Sequence, residues 1–214
     1  LQKSRIYTVL STGLRISYSN FFSGTKTMDQ LVFKHLQNHI ETTMTMGENC
    51  ANKIAEAAEK VTQALLSGQS IYSCGIGETA PLSQLFVHYL TAGYQIERPG
   101  FPAIDLGGLT QIDQGNQSLS NSLHIHGKSG DILVVFSVGS NNPCLKNTIE
   151  AAVEKGLLVL LISTTEDDLL AQGLGQQDLE ISCANYGKQA ISAVNFLIIQ
   201  CICTLIDNKI FGGN

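Results

Sequence analysis

Two short stretches of this chain gather glycine, hydroxyl and amide groups where an apolar run gives way to a helical pattern. The first is Gly75-Ile76-Gly77-Glu78-Thr79 and the second is Ser137-Val138-Gly139-Ser140-Asn141-Asn142. Glycines let a backbone approach a ligand closely, and a helix N-terminus offers free amides with positive potential to a phosphate. Hydroxyls beside such amides suit a phosphate monoester, so Gly77, Thr79, Ser137, Ser140 and Asn142 are the candidate anion-binding set. Each loop also has a plain reading. Gly-x-Gly serves in any tight βα turn, Glu78 opposes an anion, and Ser and Asn cap helices routinely. The two loops reinforce each other because both fall at the carboxyl ends of strands, where open α/β sheets bind ligands.

Other chemistry-bearing residues read more quietly. His124 and His126 are two apart, which places both on one face only in an extended strand, and no Asp or Cys lies nearby to complete a metal site. They read as surface or loop histidines. Thr164-Thr165-Glu166-Asp167-Asp168 reads as a helix start with acids near the positive end, while Ser163 closes a strand facing the crevice. The six cysteines, Cys50, Cys74, Cys144, Cys183, Cys201 and Cys203, form no Cys-x-x-Cys pair. Cys201 and Cys203 point to different faces of a helix, and all six are expected to be buried, reduced thiols of a cytoplasmic protein.

These loops need a frame, and the apolar pattern supplies one. Met28 to Gly47 and Cys50 to Leu66 each carry an apolar face at helical spacing, with Gly68 as a stop. Two amphipathic helices ahead of any strand have little sheet of their own to cover, so they are expected to build a bundle with other subunits. Ser70 to Cys74 reads as a strand, and Pro81 suits the first turn of a helix reaching Ala92. Pro102 to Leu106 reads as a strand and Gly107 to Lys128 as irregular or weakly helical. Asp131 to Ser137 is an almost wholly apolar strand, as inside a parallel sheet. A helix from Pro143 to Lys155 is ended by Gly156. The strand Leu157 to Ser163, the short helix Asp167 to Gln172, the strand Asp178 to Ser182 and the helix Gly187 to Asn208 follow. Strands alternating with helices predict a doubly wound parallel sheet, Rossmann-like, in one domain over 28–214.

Composition narrows the function classes. Of 214 residues 43% are hydrophobic and 14% charged, which predicts a folded chain with a sizeable core. The net charge of −5 and the lack of a Lys/Arg cluster argue against direct nucleic-acid binding. No apolar run is expected to reach the roughly 18–20 residues of a membrane span, and the longest, Gly156 to Ile162, fits one buried strand. Residues 1–27 are Ser/Thr-rich with Lys3, Arg5, Arg15 and Lys26 and no acid. They read either as a targeting peptide or as an extension ahead of a start at Met28, and stand outside the domain.

Several motifs together resemble a known family. Cys74-Gly75-Ile76-Gly77, Glu97-Arg98-Pro99-Gly100-Phe101-Pro102-Ala103-Ile104, Gly130-Asp131-Ile132-Leu133, Glu154-Lys155-Gly156 and Leu205-Ile206-Asp207-Asn208-Lys209-Ile210-Phe211 look like the SIS (sugar isomerase) domain proteins. They are similar to the branch that holds phosphoheptose isomerase and the DnaA initiator-associating protein DiaA, and the ending is nearer the latter. The resemblance covers Met28 to Phe211. It implies a five-stranded parallel SIS fold, a homotetramer, and phosphosugar sites near subunit boundaries.

The resemblance also implies where catalysis would sit. Catalytic members bind zinc through His and Glu on the helix after the glycine loop and Gln and His on the last long helix. An ungapped match puts those positions on Leu85, Tyr89, Ser192 and Gln200. Aldose–ketose isomerisation needs a base beside the carbonyl and an acid for its oxygen. A phenol is a poor base at neutral pH, an amide exchanges no proton, and leucine binds no metal. The expectation is a non-catalytic protein without zinc or other cofactor, which keeps a sugar-phosphate crevice and binds the initiator DnaA. In the initiator-associating relatives the pair matching Ile210 and Phe211 lies on the initiator-contacting surface. The other reading of that pair is a C-terminal staple on the core. The alternative function is a working phosphoheptose isomerase acting on sedoheptulose 7-phosphate, with Glu78, His88 and Asp105 as its nearest acid–base candidates.

Overall fold

Ile132–Phe136 has five consecutive buried residues, a pattern that only a strand covered on both faces can satisfy. In the computed structural model, which describes residues 27–109, 118–139, 141–164, 168–182 and 188–212, this run is β3, the middle of a five-stranded sheet. The strands are β1 (Ile71–Gly75), β2 (Ala103–Asp105), β3, β4 (Leu158–Ser163) and β5 (Leu179–Ser182), in the order β2-β1-β3-β4-β5. All pairings are parallel, with Ile71 opposite Ile132 and Ile132 opposite Leu158. The expected doubly wound sheet is present.

Alternation along the strands divides the interior into two cores. Ile71, Ile132, Val134, Phe136, Leu160 and Ile162 pack against α1 (Met28–Leu66), α2 (Ala80–Ala92) and α7 (Lys188–Phe211). Tyr72, Cys74, Leu133, Val135, Val159 and Leu161 face α3 (Leu106–Leu109), α4 (Ser118–His126), α5 (Pro143–Lys155) and α6 (Asp168–Ala171). Asp131 ties the strand starts together, since its carboxylate accepts from Ser70 N and Lys128 N, both at 2.8 Å. The α5 caps are those read from sequence. Asn142 Oδ1 accepts from Cys144 N at 2.9 Å, Pro143 opens the helix, and Gly156 closes it at φ 73°.

Three elements differ from expectation. α1 is one helix of 39 residues rather than two. Gly47 costs a helix only about 1 kcal/mol relative to alanine, and the buried stripe Met46, Cys50, Ile54 runs across it at four-residue spacing. The segment after Gly107, expected to be irregular or weakly helical, holds a defined helix, α4, whose Leu119 and Leu123 are buried. α7 continues through Phe211, so Ile210 and Phe211 form its last turn. By length and apolarity α7 also passes as a membrane span, contrary to the sequence expectation, but its Ile198, Ile199, Ile202 and Ile206 are buried in the first core. Among the described residues, 27–35 and those from Leu36 onward belong to different units; the sheet lies in the second, and the first carries exposed Leu31, Val32 and Phe33.

Candidate functional site

The chain leaves β1 for β2 on one side and returns to β3 on the other, so the strand order reverses between β1 and β3. Ligands of open α/β sheets bind at the carboxyl ends beside such a reversal. Both candidate loops start there, one from Gly75 and one from Phe136, which are partners in the sheet register. The first loop is a 3₁₀ turn, Gly77–Thr79, running into α2. Gly77 is exposed, has φ +63°, and a Cβ there would meet nothing within 4 Å, so the loop leaves open space over this residue. Thr79 is buried, and its Oγ1 accepts from Ile76 N at 2.9 Å while lying 3.1 Å from Ile76 O. That hydroxyl spans the turn from within. In the second loop Ser137 is buried, Asn142 is half-buried with its Oδ1 on Cys144 N, and Ser140 lies outside the described residues. The loop's bend falls on Gly139 and Asn141, at φ 77° and 41°. Asn141 Oδ1 accepts from Leu169 N at 3.2 Å.

Gly75 sets the shape of the first loop. A Cβ there would sit 2.4 Å from Thr79 O and 2.7 Å from Thr79 C, both backbone atoms. Gly75→Ala is therefore expected to push the 3₁₀ turn off β1, at about 1–3 kcal/mol for an overpacked site. Thermal unfolding of this variant measures the cost, and an unchanged midpoint would sink the argument.

The acid–base candidates do not converge. Glu78 and His88 are exposed. Asp105 caps α3: its Oδ2 accepts from Gly108 N at 2.9 Å and its Oδ1 from Ser83 Oγ at 2.5 Å, with Ser83 Oγ 2.9 Å from Ser73 Oγ. Leu85, Tyr89, Ser192 and Gln200 are all half-buried. The Tyr89 ring leans on Tyr94, with centroids 4.5 Å apart. Ser163 Oγ donates to Glu180 on β5. His124 and His126 lie on α4, where residues two apart point to different faces, so they make no pair; both are exposed. Among the described residues no three His, Cys, Asp or Glu side chains gather as a metal site.

Two buried thiols among the described residues are held in the protonated form. Burial pushes Cys74 well above the usual thiol range, helped by nearby Cys144 and Asp105. Burial likewise raises Cys203 to about 12. Cys50, Cys74, Cys144 and Cys203 are buried as expected, but Cys201 is exposed, because α7 turns it away from the core that takes Cys203. Cys183 lies outside the described residues.

At the opposite end of the sheet, where α2 stops and β2 begins, stands a cluster that sequence reading quoted without assigning a role. Arg98, between α2 and β2, is buried. Its Nε donates to Asp207 Oδ1 of α7 at 2.6 Å, and both side chains are almost wholly shielded. Its Nη1 donates to Leu90 O at 2.8 Å and Pro99 O at 3.1 Å, and its Nη2 to Tyr89 O at 3.0 Å, so it holds the end of α2. Arg98 Cζ lies 4.1 Å from the Phe101 ring centroid. The Phe101 ring stacks on Phe211, with centroids 6.1 Å apart and planes 29° apart. Ile210 is half-buried against the first core, while Phe211 is 44% exposed. The two readings of the C-terminal pair thus divide between its members, Ile210 toward the core and Phe211 toward solvent.

Residues 34–164 match the SIS domain family. The chain belongs to that family. This SIS protein is 32% identical over 181 residues to the DnaA initiator-associating protein DiaA of Klebsiella pneumoniae, covering 80% of this chain and 91% of the relative. It is 33% identical to that of Erwinia tasmaniensis over the same shares. Among solved structures it resembles a phosphoheptose isomerase from Francisella tularensis, with TM-score 0.78, 21% identity, and coverage of 86% of this chain and all of that one. That likeness establishes the SIS fold. The zinc set of catalytic SIS members asks for imidazole and carboxylate donors. Leu85, Tyr89, Ser192 and Gln200, the residues at the positions the sequence resemblance assigns to that set, are not imidazole or carboxylate donors and do not fit the metal.

Proposed function

We propose that this SIS protein is a non-catalytic, DiaA-like homotetramer that binds the replication initiator DnaA. The observation that carries the reading is the exposed Phe211 ring on the last turn of α7, in a chain whose curated relatives are named for association with DnaA. The four catalytic positions filled by Leu85, Tyr89, Ser192 and Gln200 support the same conclusion from the chemical side. Assembly would use α1, where Leu36, His39, Ile40, Thr43 and Met44 line an exposed, mainly apolar groove. A tetramer displays four copies of one surface, so modest contacts at each add up through effective concentration. The open space over Gly77 and the start of α5 at Asn142 would hold a sugar phosphate, with Ser137 and Ser140 nearby in the loop. Such a protein would work in the cytoplasm, beside its initiator.

The test is equilibrium binding of the full chain to the DnaA of its own organism. An Ile210→Ala/Phe211→Ala variant is expected to bind at least about 30-fold more weakly, as truncation of a hot-spot residue costs 2 kcal/mol or more. A parallel assay follows sedoheptulose 7-phosphate with zinc present. Robust turnover that disappears in His88→Ala would make the protein a phosphoheptose isomerase and end the non-catalytic reading.

A further inference from the structure

We infer that Phe101 is a positioning residue for the partner surface, holding the Phe211 ring in the pose that meets the initiator; this rests on the DnaA-binding reading above. Phe211 sits at the very end of α7, with Gly212 next at φ +72°. Helix ends fray, and an exposed side chain on a last turn must be ordered when a partner binds it. Here the ordering is already built in. One face of the Phe211 ring lies on Phe101 at 6.1 Å, and 44% of the residue remains open to solvent. Phe101 is itself held from beneath, where Arg98 Cζ lies 4.1 Å from its centroid. Arg98 in turn is fixed by Asp207, one turn before Phe211 on the same face of α7.

The result is a closed circuit. It runs from Asp207 to Arg98, through the rings of Phe101 and Phe211, and back into α7. Three flat groups are layered outward from a buried ion pair, and the outermost is the aromatic a partner would touch. Cation–ring and ring–ring contacts each favour one geometry, so the stack selects a rotamer for Phe211 instead of merely covering it. Phe101 Cα is tied down as well, since its backbone N donates to Leu90 O at 3.0 Å, at the end of α2.

The experiment is a double-mutant cycle on DnaA affinity, using full-chain Phe101→Ala, Phe211→Ala and the combined variant, with thermal unfolding of each. Immobilising one rotamer-rich side chain costs about 0.5–1.5 kcal/mol, so Phe101→Ala is expected to weaken binding about 2–10-fold. In the Phe211→Ala background it should weaken binding no further. That coupling is what a merely structural role would not produce. Phe101→Leu keeps an apolar side chain over the core and should show the same coupling if Phe101→Ala does not fold. Weakened binding in Phe211→Ala with wild-type binding in Phe101→Ala and Phe101→Leu overturns this inference and leaves the initiator reading standing, as do losses that multiply in the combined variant. Unchanged binding in Phe211→Ala overturns both.

Discussion

Arg98→Ala is expected to remove about 3–5 kcal/mol of stability, because it leaves the Asp207 carboxylate buried without its counter-charge. For a chain of this size that lowers the unfolding midpoint by about 6–20 °C. The side chains of Arg98 and Asp207 are 1% and 3% exposed, so solvent does not replace the lost partner. Asp207 already carries one oxygen, Oδ2, without a hydrogen bond among the described residues, which makes it more dependent on Oδ1 and its bond to Arg98 Nε. The loss reaches further than one pair. Arg98 also donates to Tyr89 O, Leu90 O and Pro99 O, so the end of α2 and the following loop lose their tie to α7 together. Leu90 O keeps the bond from Phe101 N, whereas no other partner for Tyr89 O is seen among the described residues outside the helix. Arg98→Met/Asp207→Leu removes both charges and should be more stable than Arg98→Ala, since well-packed apolar residues often substitute for a buried pair without loss. Calorimetric unfolding of the parent and the two variants checks the order. A double variant less stable than the single one would mean that the hydrogen bonds to α2, and not the charge pairing, set the cost.

What the sequence made legible was local. An uninterrupted run such as Ile132–Phe136 can only be a doubly covered strand, and Asn142, Pro143 and Gly156 bracket α5 through side-chain and backbone chemistry confined to a few residues. The loops at Gly75 and Ser137 were placed by the same logic, since their position follows from the strand ends. Misreadings arose where distant packing decides. Gly47 looked like a break because a glycine usually ends a helix, but Met46 and Cys50 on either side are buried and carry the helix through. Thr79 looked like a ligand hydroxyl, and the direction of its Oγ1 into the turn follows from Gly75 letting the backbone approach within what would be 2.4 Å of a Cβ. Arg98 and Asp207 are 109 positions apart, and no spacing rule connects them. Cys201 and Cys203 were read correctly as facing apart, but which of them faces the core depends on how α7 lies on the sheet.

The proposed non-catalytic reading is compatible with the way this frame is held together. The residues that hold the sheet, the caps and the α2–α7 tie are backbone-directed or buried. Leu85 and Tyr89 on α2 and Ser192 and Gln200 on α7 are half-buried, so on the proposed non-catalytic reading these positions could vary while the frame stands. Tyr89 serves the frame directly, since its ring packs on Tyr94 and its carbonyl receives Arg98.

Phe136→Ala is expected to be as costly as the loss of Arg98, at about 3–5 kcal/mol, for a different reason. Phe136 is 0% exposed at the end of β3, and its ring meets Phe86 of α2 edge to face, with centroids 6.1 Å apart and planes at 66°. Truncation removes its apolar burial and opens a cavity where β3 supports α2, the helix that the glycine loop feeds. Because Phe136 is also the register partner of Gly75, the defect lies directly beneath both candidate loops. Phe136→Leu keeps most of the volume and should lose less, while a Phe86→Leu/Phe136→Leu cycle should return a coupling of about 0.5–1.5 kcal/mol from the ring pair. Denaturant unfolding of these variants measures both quantities, and additive losses would show that the edge-to-face geometry contributes nothing beyond area. The two costly sites also separate function from fold. Under conditions where Phe136→Ala remains folded, the proposed binding of DnaA through Phe211 should persist, since the stack of Arg98, Phe101 and Phe211 does not include Phe136. An Arg98→Ala protein, folded under the same conditions, loses the base of that stack and should bind more weakly. Equal affinity in the two variants would break the link between the buried ion pair and the exposed ring.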